Sequence, residues 1–470
     1  MNAPANNQER HRSVRRRWLL LLVSLPIVLG AIAVGGLVLG EYRSAREVSA
    51  EIARLRAAGE PVDSETQARW FHASSSREGT TAWREILVAV EQVSSGDTVN
   101  SFPILGTGKL PENLAPGGDW PDEPRIAEFL REVRPLIGQI EQASRHPNPV
   151  WQPIAFSGFS TPLPEIQASR AVIRLLQLEV QHALYHRDAE RALRGLAAMR
   201  TTAAAFDWDF CAVADLVGIA LRGIHRDAIR QSLAETNWEP AQLDQLLAQV
   251  EYRRDVAARW HRVFAGERAL VLTCLQLSRE DLERMLSQEN VGYPAALSLI
   301  PSGTKKYLDC MAAIQQLGAE GVLGMATRAE ELEKELYPPD VPRLRGTLAS
   351  LFLAPAIDMA AAYERDELAC RLTRTALGVK RYRLSEGRWP VRLSDLAAVG
   401  LEPMDWTALQ AGPFGYKIAG EEAVVWAYDA HDSGSPSRIR SEPPGKKDVS
   451  HAGLLWHVTR IGHLRSPSPD

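Results

Sequence analysis

The chain has 470 residues, a formal net charge of −4, 45% hydrophobic residues and 24% charged residues. This length is sufficient for two or three domains with sizeable cores, and the composition is typical of a folded protein rather than a disordered one. Because the first residues are strongly basic, the remainder is more acidic than the chain as a whole. A mildly acidic body without a basic face excludes the electrostatic footprint of a nucleic-acid-binding protein.

An uncharged, strongly apolar run follows the basic tail at 1–17. Residues 18–39 read WLLLLVSLPIVLGAIAVGGLVL, and the first charged residue after them is Glu41. As a helix this run spans about 33 Å, which matches a hydrocarbon core of about 30 Å. The arginines of the tail predict, by the positive-inside rule, a cytoplasmic N-terminus and an extracytoplasmic body. The sequence therefore predicts a single-pass inner-membrane protein with its membrane helix at 18–40.

The apolar run itself also fits a cleaved signal peptide, with Ala31 and Ala33 as the small residues before the cleavage site. Apolar sequence continues past Ala33, which favours a retained anchor, and either outcome leaves the body on the same side of the membrane. Gly36 and Gly40 form a GxxxG pattern, which indicates either small residues tolerated in an apolar helix or a dimer contact between two such helices.

The residues after the membrane segment fall into three predicted regions. Juxtamembrane helices and a Pro/Gly-rich segment occupy 41–121, and a helical bundle or solenoid-like stack follows at 122–345. Residues 346–470 hold a long helix, interrupted at Pro355, and a small α/β module with antiparallel strands. The predicted fold is therefore mainly α, with a limited sheet near the C-terminal end.

Within the helical region, one stretch has a regular apolar face. Its apolar residues at helical spacing are Ile173, Leu176, Val180 and Leu184. Polar side chains, Gln181 among them, lie on the opposite face. Asp188 begins the next helix after a very short turn, and Pro240 opens a later one at the first-turn position where proline is favoured.

Five segments of the body carry a resemblance to known sequences. They are LRAAGEPV (55–62), FPILGTGKLP (102–111), SRAVIRLLQLEVQHALYHRDAERAL (169–193), AGERAL (265–270) and ALGVKRYRLSEGRWPVRLSDL (376–396). Together they resemble a bacterial family of uncharacterised, membrane-anchored and predominantly helical proteins. The resemblance extends over nearly the whole chain and implies an anchored helical body, without an activity to transfer.

The C-terminal part has a second set of matching residues. They are Tyr382, Gly387, Trp389, Pro390, Leu393 and Leu396, followed by Gly412–Gly415 and Ala427–Asp432. This series resembles the periplasmic end of type II secretion major pseudopilins, where a helix leads into a Trp/Tyr-Pro turn and then a strand. The aspartate that precedes Pro413 in that family is missing, and no prepilin cleavage site precedes the membrane helix. The resemblance therefore implies a pseudopilin-like module and not a pilin.

That resemblance also suggests a candidate metal site. Because pseudopilins bind calcium in the matching loop, Asp429, Asp432 and Ser433 are candidate Ca²⁺ ligands. Carboxylate and hydroxyl oxygens suit this hard cation, but two aspartates fall short of a shell of six to eight oxygens. This shortfall favours a solvated acidic turn over a calcium site.

Other candidate chemistry is weaker. His182 and His186 share a helix face, but Ala183 stands where a zincin needs glutamate, so amphipathic surface histidines are predicted. Residues 106–109 (GTGK) lack the first glycine and the Ser/Thr of a P-loop. The four cysteines lie far apart in helical sequence, which favours buried free thiols, with disulfides as the alternative.

The sequence thus predicts no catalytic or cofactor-binding residue set. It favours a membrane-anchored, extracytoplasmic helical scaffold that binds other proteins of the bacterial envelope, in secretion or surface assembly. The alternative is an envelope hydrolase whose active-site residues converge only in the folded chain.

Overall fold

The structure is a computed structural model, and part of the chain is described in it. The described residues are 34–73, 76–111, 114, 116–145, 154–158, 160–163, 165–208, 210–235, 238–250, 256–277, 280–281, 301–337, 348–408, 412–420, 422–428 and 453–459. No helix among these residues is long and apolar enough to cross a membrane. Residues 18–33, which hold most of the predicted membrane segment, lie outside them, as do Asp429, Asp432 and Ser433.

The described residues form a mainly helical fold with small antiparallel sheets near the C-terminus, as predicted. The helices are α1 (34–57), α2 (Ser64–His72), α3 (Arg77–Ser94), α4 (Asp97–Asn100), α5 (Glu123–Glu132), α6 (Arg134–Ala143), α7 (Glu165–Tyr185), α8 (Ala189–Ala204), α9 (Ala212–Glu235), α10 (Pro240–Gln249), α11 (Val256–Cys274), α12 (Pro301–Ala319), α13 (Met325–Leu336) and α14 (Leu348–Glu386). Short 3₁₀ turns occupy Ala205–Trp208, Leu393–Val399 and Pro403–Trp406. The strands are β1 (Thr407–Ala408), β2 (Gly412–Pro413), β3 (Gly415–Ala419), β4 (Glu422–Tyr428) and β5 (Gly453–Thr459).

The chain divides into two compact units. The first contains Met1–Gly59, Ser278–Cys310 and Arg343–Leu351, and the second contains Glu60–Leu277, Met311–Pro342 and Phe352–Asp470. In the first unit the Glu41 carboxylate accepts hydrogen bonds from the backbone N–H and the hydroxyl of Ser302, at 3.0 and 2.5 Å. Because these donors lie at the N-terminal end of α12, the carboxylate satisfies amides that have no partner within that helix.

Helix α7 is the centre of the second unit, where it packs against α3, α8 and α9. The predicted apolar residues Ile173, Leu176, Val180 and Leu184 are all buried. The prediction of a polar opposite face was wrong for Gln181, which is 5% exposed. A helix that is covered from several sides buries its polar residues as well as its apolar stripe.

The short turn after α7 forms as predicted. Arg187 adopts a left-handed backbone conformation, and the N–H of Asp188 donates to the Ala183 carbonyl at 2.9 Å. The Asp188 side chain then accepts the N–H of Arg191 at 3.0 Å, which caps the start of α8. Pro240 begins α10, also as predicted.

Helix α14 continues through Pro355, so the predicted interruption was wrong. A proline inside a helix costs about 3 kcal/mol, through a lost hydrogen bond and a clash with the preceding turn. Several residues that follow it are fully buried, namely Ala356, Met359 and Ala360. Since burial of one large apolar side chain contributes about 1.5–3 kcal/mol, packing of this kind offsets the cost.

The C-terminal module has the predicted helix, turn and strands. The side chain of Trp389 is buried in the same core as β4, and the Tyr416 hydroxyl on β3 donates to the Pro390 carbonyl at 2.8 Å. Strands β3, β4 and β5 pair antiparallel in that order, which confirms the strands predicted at 424–426 and 454–458. Gly415 faces Trp426 in the ladder, where an added Cβ would lie 2.0 Å from the indole ring.

Candidate functional site

The two predicted histidines meet a carboxylate from a distant part of the chain. The Nε2 atoms of His182 and His186 lie 3.2 and 3.0 Å from Oε1 of Glu123. His182 is 6% exposed, so the prediction of a surface histidine was wrong there, whereas the His186 side chain is 47% exposed. Among the described residues this is the one group of three such side chains placed closely enough to hold a metal ion.

The chain before α5 positions Glu123. The Gly117 N–H donates to the Tyr185 carbonyl at 3.0 Å, and the Tyr185 hydroxyl donates to the Gly118 carbonyl at 2.7 Å. The ring of Trp120 packs edge-on against that of Tyr185, with centroids 5.3 Å apart. This end of the predicted Pro/Gly-rich segment is therefore fixed to the C-terminal end of α7, next to the two histidines.

A buried ion pair lies on the other side of His182. Arg191 on α8 donates to Glu179 at 2.5 and 2.7 Å, and its Nη2 lies 3.0 Å from Nδ1 of His182. Arg134 on α6 also donates to Glu179, whose side chain is fully buried. Burial raises the pKa of Glu179, but the bonds from the two arginines outweigh it and hold the pKa below its usual value.

These contacts determine where the proton of His182 lies. An arginine only donates, so Nδ1 of His182 accepts from Arg191 and the ring proton is on Nε2, which donates to Glu123. Burial, together with the charges of Arg191 and His186, lowers the pKa of His182 and keeps its ring neutral. Burial raises the pKa of Glu123, but hydrogen bonds from His186 and His182 outweigh it, so the net shift is downward.

The same geometry bears on metal binding. Two imidazole nitrogens and a carboxylate oxygen are a donor set that suits Zn²⁺ and other transition metals. A metal on Nε2 of His182 would require the proton to move to Nδ1, where Arg191 already donates. Metal-bound histidines normally donate their second N–H to a carboxylate, carbonyl or water. The arrangement therefore favours a hydrogen-bonded cluster over a metal centre.

The glycine-rich loop at 106–109 and the four cysteines were the remaining candidates from the sequence. The amides of Gly106 and Thr107 donate to the carbonyls of Phe102 and Asn100, so this loop does not present them to a phosphate. All four cysteines are free and buried, as predicted. Burial raises the pKa of the Cys370 thiol to about 12, which makes it unreactive.

A separate groove of about 540 Å³ lies in the second unit. Two ion pairs form part of its lining, Arg371 to Glu367 and Arg374 to Asp405, each with an N···O distance of 2.7 Å. The Arg374 guanidinium also donates to the Leu247 and Val250 carbonyls, both at 3.0 Å. Its lining thus contains charged side chains that are already paired and held in place.

The rim of this groove is partly apolar. Leu323 and Met404 both line it, and they are 42% and 41% exposed. Glu402 lies beside Met404 and is exposed, and it makes no ion pair with any described residue. No residue of the groove was singled out by the sequence, because its parts come from four separated stretches without a common motif.

Neither a known protein family, nor a curated protein, nor a solved structure matches this chain.

Proposed function

We propose that this chain is a single-pass inner-membrane protein of the bacterial envelope, with residues 1–17 in the cytoplasm and residues 18–40 in the membrane. Its extracytoplasmic body is a helical scaffold that binds other envelope proteins, in secretion or surface assembly. The module after α14 is pseudopilin-like in this proposal, since a helix, a Trp-Pro turn and an antiparallel sheet follow one another there.

One observation carries the anchoring part of the proposal. Four large apolar side chains near the start of α1 are between 52% and 70% exposed, namely Val34, Leu37, Val38 and Leu39. A group of this kind is unfavourable in water, and it directly continues the uncharged run at 18–33. Polar contacts begin immediately afterwards, where Glu41 binds Ser302. A lipid environment that ends near residue 40 accounts for this change.

Two observations support a binding role for the body. The polar cluster around His182 satisfies its own hydrogen bonds, so it does not hold a reactive group ready for a substrate. The groove, in contrast, leaves Leu323, Met404 and Glu402 exposed at its rim. Exposed apolar side chains with a charged neighbour are typical of a protein-binding surface.

Membrane extraction and protease access test the anchor and its orientation. The full chain, tagged at its N-terminus, should stay in the membrane fraction after alkaline carbonate, and protease added to spheroplasts should degrade the body but spare the tag. Val28→Arg with Leu29→Arg should release the protein, because each charge at the centre of a membrane helix costs about 2.5–3.5 kcal/mol.

The matched control is Val391→Arg, which places the same charge on an exposed apolar position of the body, 72% exposed. It should leave extraction unchanged. A wild-type chain in the soluble fraction, or a body protected from protease, would refute the proposal. N-terminal sequencing separates the anchor from a cleaved leader, since a mature start at Val34 would mean that the body is released.

The dimer contact through Gly36 and Gly40 stays a prediction. A Cβ added at either glycine meets no atom within 4 Å, so these positions are open to a second helix. Cysteine cross-linking at Gly36 in membranes should give a dimer band if the GxxxG pattern forms such a contact, and none if these glycines face lipid.

A further inference from the structure

We propose that the groove lined by Leu323, Met404 and Glu402 binds a peptide segment of a partner protein that carries a lysine or arginine next to an apolar side chain. This inference rests on the proposed scaffold function and specifies the partner chemistry. It depends on which charges in the groove are already paired and which are open.

The charge balance of the lining selects a cationic partner. Both guanidiniums of the groove are engaged, Arg371 by Glu367 and Arg374 by Asp405. Glu320, also in the lining, is paired with Arg328 at 3.1 Å. Within each of these ion pairs the two charges neutralise each other. Glu402 is therefore the charged side chain of the lining whose charge is not neutralised by a described partner.

Glu402 is therefore the anionic group that an incoming side chain can pair with. It is exposed, and it has no ion pair among the residues that the structure describes. Its own N–H donates to the Asp405 carboxylate at 2.8 Å, which fixes the backbone that carries it. A partner lysine or arginine would gain an ion pair there without breaking an existing one.

The apolar rim selects the neighbouring side chain. Leu323 and Met404 are more than two-fifths exposed, although both lie at a depression where a bound apolar group would cover them. Methionine adapts its shape to different partners, which suits a site for a peptide rather than for one rigid ligand. Covering large apolar side chains of this kind is worth roughly 25 cal/mol for each Å² removed from water.

Two glycines keep the groove open. Gly321 and Gly400 both line it with left-handed backbone conformations, at φ +84° and +82°. A Cβ at either position would meet no atom within 4 Å, so the space beside their backbones is empty. A peptide backbone could approach these turns closely because no side chain covers them.

The floor of the groove is already ordered. Thr375 donates to the Asp405 carbonyl at 2.6 Å, and Arg374 is held at once by Asp405 and by two carbonyls. Glu367 and Arg371 are nearly buried, at 7% and 8% exposure. Binding would therefore order few side chains of the protein, and most of the entropic cost would fall on the peptide.

Fluorescence anisotropy on the full chain in detergent micelles tests the proposal with three labelled peptides of equal length. The first alternates leucine and lysine, the second leucine and glutamate, and the third alanine and lysine. We expect the leucine–lysine peptide to bind at least tenfold more tightly than the other two. Its affinity should fall with added salt, as an ion pair at an exposed site requires.

Variants of exposed residues separate the groove from the rest of the surface. Glu402→Lys should weaken binding of the leucine–lysine peptide at least tenfold, and Met404→Ser, which removes apolar surface without adding a charge, should weaken it several-fold. The matched controls are Glu335→Lys and Val391→Ser, which make equivalent changes at exposed positions outside the groove and should leave affinity unchanged. No binding of the leucine–lysine peptide at millimolar concentration, or equal affinity of Glu402→Lys and Glu335→Lys, would overturn the proposal.

A second measurement distinguishes failure of the groove from failure of the scaffold. Envelope proteins cross-linked to the wild-type chain in membranes are compared with those cross-linked to Glu402→Lys combined with Met404→Ser. An unchanged set of partners would refute the groove but leave the scaffold function intact. An absence of any partner for the wild-type chain would refute the scaffold function itself.

Discussion

Removal of Arg191 is the most direct test of how the helical body is held together. Glu179 is fully buried in its side chain, and Arg191 supplies two of its hydrogen bonds, at 2.5 and 2.7 Å. Arg191→Met keeps much of the volume but leaves the carboxylate with Arg134, whose side chain is 42% exposed. Removing one partner of a buried ion pair lowers the free energy of unfolding by about 3–5 kcal/mol. Because Arg134 still pairs with Glu179, we expect a loss near the lower end of this range.

Thermal unfolding of the full chain in detergent measures this cost. With an unfolding entropy of about 2.1 cal/mol/K per residue across the second unit, a loss of about 3 kcal/mol lowers its Tm by roughly 4 °C. Arg194→Met is the matched control on the same helix, because its ion pair with Glu141 spans 3.4 Å and its side chain is 50% exposed. A pair of that kind contributes less than about 1 kcal/mol, so its midpoint should hardly change.

A double variant identifies the cause. In Arg191→Met, the added change Glu179→Gln removes the buried charge and should recover more than half of the lost stability, because a neutral amide is far less costly to bury. The reasoning is refuted if Arg191→Met and Arg194→Met shift the midpoint equally. It is also refuted if Glu179→Gln makes the Arg191→Met variant less stable, since the damage would then come from lost packing.

Three further outcomes are expected. Gly218→Ala should cost about 1–3 kcal/mol by thermal unfolding, because its Cβ would lie 2.6 Å from that of Phe206, whereas Gly223→Ala on the same helix meets nothing and should not destabilise. Burial lowers the pKa of His225 from 6.5 to about 4, so the unfolded chain binds the extra proton in this window. Stability should therefore fall by up to about 3 kcal/mol as the pH drops from 6.5 to 4, and His225→Gln should lack this part of the loss in acid denaturation. Micromolar Zn²⁺ should leave Tm unchanged; a rise of several degrees that disappears in His182→Gln would show that a metal displaces the hydrogen-bonded cluster.

Local patterns were sufficient to predict most of the helices and the strands near the C-terminus. Asp188 caps α8 and Pro240 opens α10, because capping and first-turn proline depend on a few neighbouring residues. The hydrophobic pattern of α7 wrongly predicted exposed side chains for Gln181 and His182, which are both buried. A sequence pattern does not show how many other helices surround a given helix. Helix α7 is covered on more than the side that its apolar stripe indicates.

The cluster at His182 shows why a site can escape the sequence. Glu123 lies 59 residues before it, and no spacing rule connects a carboxylate at the start of one helix with histidines at the end of another. The contact depends on Gly117 and Tyr185, which bring the segment before α5 back to α7. The histidine pair was a usable signal for a site, but its partner and its proton position required the folded chain.

Two of the sequence segments that were singled out, AGERAL and FPILGTGKLP, contain residues that contact other parts of the backbone closely. In AGERAL, a Cβ at Gly266 would lie 2.0 Å from the Phe210 carbonyl oxygen, Glu267 accepts the first N–H of α9 from Ala212 at 2.8 Å, and Arg268 pairs with Glu60. These residues set how closely helices approach and how they are connected. They do not line the groove.

The same holds for FPILGTGKLP. Gly106 and Gly108 allow the turn to close on its own backbone, where added Cβ atoms would lie 2.2 Å from the carbonyl oxygens of Asn100 and Ser101. The groove draws its residues from 256–257, 318–323, 367–374 and 400–405, outside all five segments. The residues of the groove therefore share no sequence pattern, and only the folded chain brings them together.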